Sequence, residues 1–277
     1  MVTEDPIQKA AAAIAAAEAL VVGAGAGMGV DSGLPDFRGT QGFWRAYPLY
    51  EKLGLDFASM ANPRWFAKDP AFAWGFYGHR LELYRKTVPH QGFAVLRGIA
   101  SRMKHGAFVL TSNVDGQFQR AGFEAERVVE IHGSIHLVQC VAGCPGVSSA
   151  DPFRVEIDPG TLRANDPLPR CGRCAEVLRP NILMFGDGGW DGSRTGAQEE
   201  RLERWLDDVG DARLVVVECG AGTAIPSVRL FCQRLQKKGA TLVRINVREP
   251  QVPAGGIPLA MGAMEALARI DALLQRG

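Results

Sequence analysis

The chain has 277 residues, 47% of them hydrophobic, and its 31 basic and 30 acidic side chains leave a formal charge of +1. That length buries a sizeable core, as one large domain with an inserted module or as two smaller domains. The balanced charge leaves no electrostatic footprint for nucleic acid or anionic lipid. No stretch is long and apolar enough to span a bilayer, and the alanine-rich start follows Glu4 and Asp5 rather than a basic segment, so it does not read as a signal peptide. A cytoplasmic protein is expected.

Asp5 and Pro6 suit an N-cap and a first helical position, and Ile7, Ala10, Ile14 and Ala17 recur at helical spacing. A strand over Leu20 to Val22 then feeds the glycine-dense stretch from Gly25 to Gly39. Glycines there let backbone approach a ligand, and successive N–H groups can hold a pyrophosphate. The spacing does not complete the usual dinucleotide fingerprint, so the glycines alone are also compatible with a plain turn. From Gly42 to about Lys104 the pattern is helical and aromatic, and most of those rings read as packing. Within it, Tyr77 and Arg80 stand three apart on one helix face, with no acid three or four residues from Arg80. A solvated arginine is the alternative there.

A short buried strand over Ala107 to Leu110 delivers Thr111-Ser112-Asn113-Val114-Asp115-Gly116, by itself an ordinary turn sequence. A further strand, Arg127 to Ile131, ends at His132-Gly133, where an accessible neutral imidazole can act as a general base or simply be a structural histidine. Cys140-x3-Cys144 and Cys171-x2-Cys174 are two close pairs 26 residues apart, a spacing that closes a tetrahedral zinc site with no open position. Disulfides compete with that reading in an oxidising compartment. Cys219 and Cys232 stand apart in apolar surroundings and read as core thiols. Gly186 to Gly196 reads as a loop and Gln198 to Val209 as a helix. Leu214 to Val217 and Thr241 to Ile245 read as strands, and Phe231 to Lys237 and Ala263 to Leu274 as helices. Alternating strands and helices predict an α/β fold: a Rossmann-like parallel sheet with helices on both faces, plus a helical module and a small zinc-ribbon module. Residues 1–41, 105–138 and 178–277 are assigned to the sheet domain, 42–104 to the helical module and 139–177 to the metal module.

Ser32-Gly33-Leu34-Pro35-Asp36-Phe37-Arg38, the Asn-x-Asp turn, Glu130-Ile131-His132-Gly133 and the paired cysteines together resemble, in order along nearly the whole chain, the sirtuins, NAD-dependent protein-lysine deacylases. The resemblance implies NAD as co-substrate and a structural zinc. It places Gly25, Ala26, Gly27, Asp36, Phe37, Arg38, Ser112, Asn113, Asp115, Gly220, Gly222 and Asn246 at the cofactor, with Gly42-Phe43-Trp44 opening a cofactor loop. It makes His132 and Asn113 catalytic, and sets Leu183 and Phe185 along the acyl-lysine peptide. In the branch that removes succinyl and malonyl groups, a Tyr-x-x-Arg in the context Trp74-Gly75-Phe76-Tyr77 meets the acyl carboxylate, which here would be Tyr77 and Arg80. Gly29, Ser112, Ala221, Gly222 and Asp187 depart from the family pattern. ADP-ribosyl transfer, NAD hydrolysis and a non-catalytic NAD-binding module are the alternatives. The expected partners are acyl-lysine proteins or peptides, with no nucleic acid or membrane, and the sequence does not specify an oligomeric state.

Overall fold

The computed structural model describes residues 5–35, 43–44 and 47–276, so Asp36, Phe37, Arg38, Gly39 and Gly42 lie outside the described residues. The first helix, α1 (Pro6–Ala16), is capped as its sequence predicts: the Asp5 carboxylate accepts from the Ile7 N–H at 3.1 Å and Pro6 occupies the first turn. It is followed by β1 (Ala19–Ala24), which is buried along its whole length because it lies in the middle of a sheet covered on both faces. The helical, aromatic region forms α2 (Pro48–Lys52), α3 (Phe57–Met60), α4 (Arg64–Lys68) and α5 (Pro70–Lys86), with α6 (Gln91–Ala100) after it. Then come β2 (Ala107–Thr111), the short α7 (Gln117–Arg120), β3 (Val128–Glu130), β4 (Gly133–Cys140), β5 (Ser148–Ser149) and β6 (Leu178–Ile182). The chain finishes with α8 (Ser193–Val209), β7 (Leu214–Cys219), α9 (Ser227–Lys237), β8 (Thr241–Ile245), β9 (Ile257–Leu259) and α10 (Ala263–Leu274).

Among the described residues, six strands make a parallel sheet in the order β3-β2-β1-β7-β8-β9. Alternation along β1 decides which helices cover which face. Leu20 and Val22 pack with Ile7, Ile14, Phe93, Leu96 and Ile270 from α1, α6 and α10. Ala19 and Val21 turn the other way, against Leu202 and Trp205 of α8 and Val228 and Cys232 of α9. The order reverses at β1, since the chain next adds strands on one side and later on the other. The C-terminal ends of β1 and β7 therefore open a crevice, the position at which open α/β sheets bind ligands.

A second sheet, β5-β4-β6, is antiparallel. It shares an aromatic core with α5, in which Trp74 is fully buried and donates its indole N–H to the Leu178 carbonyl at 2.8 Å. This sheet begins at Gly133 and ends at Ile182, so it straddles the divisions expected at residues 138 and 178.

One expectation is corrected. The stretch read as a loop to Gly196 becomes helix from Ser193, because the first turn of α8 is tied down from outside. Thr195 donates to the Glu130 carbonyl at 3.0 Å and the Gln198 side chain accepts the Glu130 N–H at 3.1 Å. That docking outweighs the poor helix propensity of glycine. Cys219 and Cys232 are fully buried core thiols, as expected.

Candidate active site

The loops at the C-terminal strand ends surround one cavity of about 950 Å³. Gly25 and Ala26 follow β1, residues 112–115 follow β2, His132 follows β3, residues 221–225 follow β7, and Arg248 and Glu249 follow β8. The glycines make this convergence possible. A Cβ on Gly25 would stand 2.7 Å from the Ala221 Cα and 2.8 Å from the Gly220 carbonyl oxygen, closer than real Cβ contacts allow. Gly220 has φ +63°, and a Cβ there would meet the Gly27 backbone at 2.4 Å. Gly25 and Gly222 reach the cavity surface, whereas Gly27 and Gly220 press backbone to backbone beneath it.

Asn113 is held across two strands. Its N–H donates to the Thr111 hydroxyl at 3.0 Å, that hydroxyl donates to the Ala24 carbonyl at 3.1 Å, and the Asn113 amide donates to the Gly25 carbonyl at 3.0 Å. Asp115 is buried at 7% exposure and accepts the Gln117 N–H at 3.0 Å. Burial raises its carboxyl to about pH 6, with the Glu130 charge adding to the shift and the Gln117 N–H and Arg80 opposing it. Burial also lowers the His132 imidazole below its ordinary value, opposed by a backbone hydrogen bond with Ser112, so the ring is neutral at neutral pH. Ser112 thus touches His132 through its backbone.

Not every expected residue forms wall. Asn246 is buried behind it, donating to the Ala221 carbonyl at 2.8 Å while its side-chain oxygen accepts from the N–H groups of Arg248 and Glu249 at 3.1 and 3.0 Å. It shapes two wall loops. Beneath them, Glu218 and Arg244 form a buried two-bond ion pair at 2.6 and 2.8 Å, and Arg229, 4.0 Å from Glu218, donates to the carbonyls of Ala221 and Glu249. Gly29 stands where a side chain would come 3.3 Å from the Gln117 amide nitrogen, a buried donor with no acceptor among the described residues.

The opposite end of the cavity is aromatic. Leu183 and Phe185 line it, and backbone bonds from Leu183 N to the His132 carbonyl at 3.0 Å and from Phe185 N to the Ala61 carbonyl at 2.9 Å hold that segment. Asp187 is fixed by Arg179 at 2.7 Å and by the Met184 N–H at 3.2 Å, so it braces the segment. Tyr77 and Arg80 both face the cavity. Arg80 is only 5% exposed, which removes the solvated-arginine reading, and its guanidinium lies 5.3 to 5.9 Å from the ring centres of Phe57, Phe76, Tyr77 and Tyr84. Sequence reasoning passed over Phe57 and Tyr84 as wall residues, although Tyr84, four residues after Arg80, shares its helix face.

Away from the cavity, the sulfurs of Cys140, Cys144, Cys171 and Cys174 all lie within 4.8 Å of one another, two pairs at 3.5 Å, and all four are free thiols. A tetrahedral zinc with bonds near 2.3 Å spaces its sulfurs by about 3.8 Å. The tetrad fits a structural zinc ion, and four thiolates leave no position for chemistry.

The Sir2 family model matches residues 25–217. The chain is 33% identical over 260 residues to NAD-dependent protein deacylase 2 of Pyrobaculum aerophilum, covering 93% of this chain and 91% of that one. It is 31% identical over 258 residues to NAD-dependent protein deacylase 1 of Archaeoglobus fulgidus, covering 92% of each. The solved structure of a Sir2 homolog–NAD complex superposes with a TM-score of 0.71 at 26% identity, over 99% of this chain and 95% of that one.

Proposed function

The chain belongs to the Sir2 family, and from that premise and the site we infer that it is an NAD-dependent protein-lysine deacylase, releasing nicotinamide and an O-acyl-ADP-ribose. The observation that carries this reading is the meeting of Asn113, Asp115 and neutral His132 on one cavity wall with the Gly25 loop. NAD, when bound, supplies the ribosyl carbon that the acyl oxygen attacks as nicotinamide leaves. The chain's own groups prepare that step. The glycine loops offer close backbone for the phosphates, Asn113 and Asp115 offer an amide and a carboxyl for the nicotinamide ribose and carboxamide, and His132 Nδ1 or Nε2 takes the proton of a ribose hydroxyl. Asp36, Phe37 and Arg38 belong to the same nucleotide site in this reading.

Leu183 and Phe185 are assigned to the acyl-lysine peptide, along the stretch of cavity wall that they line. Buried Arg80 beside the Tyr77 hydroxyl, which has no hydrogen-bond partner among the described residues, favours acyl groups that end in a carboxylate, because a guanidinium and a phenol O–H both donate to such an anion. A reducing, cytoplasmic setting belongs with this reading, since the four thiols must stay reduced to hold the metal.

Mass spectrometry after incubation with NAD and acetyl- or succinyl-lysine peptides tests it. The expected products are free lysine peptide, nicotinamide and O-acyl-ADP-ribose, and His132→Ala is expected to slow their formation by about 10² to 10⁴-fold. An ADP-ribosylated acceptor, or nicotinamide released equally without peptide, would establish transferase or hydrolase chemistry instead. Arg80→Met should abolish a succinyl preference while leaving acetyl turnover in place.

A further inference from the structure

We propose that Tyr84 is a specificity-determining residue at the aromatic end, completing with Tyr77 and Arg80 a three-residue receptor for an acyl chain ending in a carboxylate. The proposal deepens the acidic-acyl reading above and rests on it.

Positions 77, 80 and 84 fall on one face of α5, and all three side chains border the cavity. The Tyr84 hydroxyl oxygen accepts from Arg80 Nε at 3.1 Å and from Arg80 Nη2 at 2.8 Å. Two bonds to one phenol oxygen orient the plane of the guanidinium. A phenol oxygen that receives two N–H donors must point its own hydrogen elsewhere. Because Tyr84 borders the cavity, that O–H is placed to be offered to a ligand. The Tyr77 hydroxyl is likewise buried with no hydrogen-bond partner among the described residues.

A carboxylate arriving here meets a planar cation and two phenol donors, whereas a methyl-ended acetyl group gives neither phenol hydrogen an acceptor. Leaving a buried donor without a partner is costly, so the same geometry discriminates twice. Asp115 shares the cavity and repels an anion, which makes the orientation of these donors decisive.

The test is steady-state kinetics of the zinc-loaded protein on succinyl- and acetyl-lysine peptides of identical sequence, for the wild type, Tyr84→Phe and Arg80→Met. Tyr84→Phe is expected to raise the succinyl KM about tenfold, the size of one charge-assisted hydrogen bond, and to change the acetyl KM by much less, so that the succinyl-to-acetyl ratio falls. The succinyl-to-acetyl ratio is taken within each variant, so loss of folded protein cancels. If Tyr84→Phe raises both peptide KM values equally, its role is structural and the proposal fails. If Arg80→Met removes the succinyl preference and Tyr84→Phe keeps it, the Tyr84 assignment alone falls. A wild type without any succinyl preference overturns the acidic-acyl reading and Tyr84 with it.

Discussion

The glycine-loop end of the cavity and its aromatic end are walled by different kinds of atoms. At the first, backbone does the shaping: Gly25 and Gly220 bring main chains together at distances a Cβ would forbid, and buried polar groups behind the wall pin the loops. At the second, side chains do it, with rings of Phe57, Phe76, Tyr77 and Tyr84 around one buried guanidinium. The two ends also rest on different foundations. The glycine loops grow from the parallel sheet, while the aromatic end shares its core with the sheet that carries the metal cysteines. A wall made of backbone recognises what every cofactor molecule has in common, and a wall made of side chains can be retuned by single substitutions.

Removing the metal should separate the two most sharply. A structural zinc contributes on the order of 10 kcal/mol to the fold around it. Chelation or Cys174→Ser is therefore expected to expose β4, β6 and α5 in hydrogen exchange while β1, β2 and β7 keep their protection. Equal loss of protection across both sheets would show that the foundations are not separate.

Glu218→Gln attacks the other end. It leaves Arg244 buried without its anion, a loss of about 3–5 kcal/mol in chemical denaturation. The NAD KM should rise because Arg229 and Arg244 support the wall loops, and the succinyl-to-acetyl ratio should not move.

Asp115 sits between the two regions, and its burial gives a pH signature. Because folding raises its pKa from 3.8 to about 6, its contribution to stability is fully present below about pH 4 and is lost as pH rises through 6. Asp115→Asn should therefore stabilise the protein by on the order of 3 kcal/mol at pH 7.5 and by nothing at pH 4, while deacylation falls. Stabilisation that persists at pH 4 would mean the carboxyl is not the cause.

The smallest effect concerns His132, whose pKa burial holds below 6.5. The neutral base persists to lower pH than a solvated imidazole, so kcat/KM should fall by less than about twofold between pH 7.5 and 6.5, with its acid limb lying below 6.5. An acid limb centred above 6.5 would contradict the burial of the ring.

Much of this architecture could be read along the chain because the relevant forces act locally. Apolar runs of strand length, the Asp5-Pro6 start of α1 and the span of α10 over Ala263–Leu274 depend on neighbours within a few residues. The cysteine spacing likewise carries its own geometry, since two knuckles of two and three intervening residues are enough to surround one ion.

What failed to show depends on partners far apart in sequence. The early start of α8 at Ser193 comes from Glu130, more than sixty residues earlier. Nothing local shows that Asn246, read as a cofactor contact, also braces two wall loops through its bonds to Ala221, Arg248 and Glu249. Tyr84 was visible at helical spacing from Arg80, but its meaning required knowing that this face of α5 looks into the cavity rather than into the core.

The amino-acid sequence by itself determined the chemistry at hand: an imidazole beside glycine, an Asn-x-Asp turn, glycine-dense loops and two close cysteine pairs, each set by residues near one another in the chain. Only the tertiary structure decided which of them share a space and with what charge. Convergence of five strand ends, the exclusion of water from Arg80 and the upward shift of Asp115 arise from burial, a property of the packed whole to which no short segment is privy.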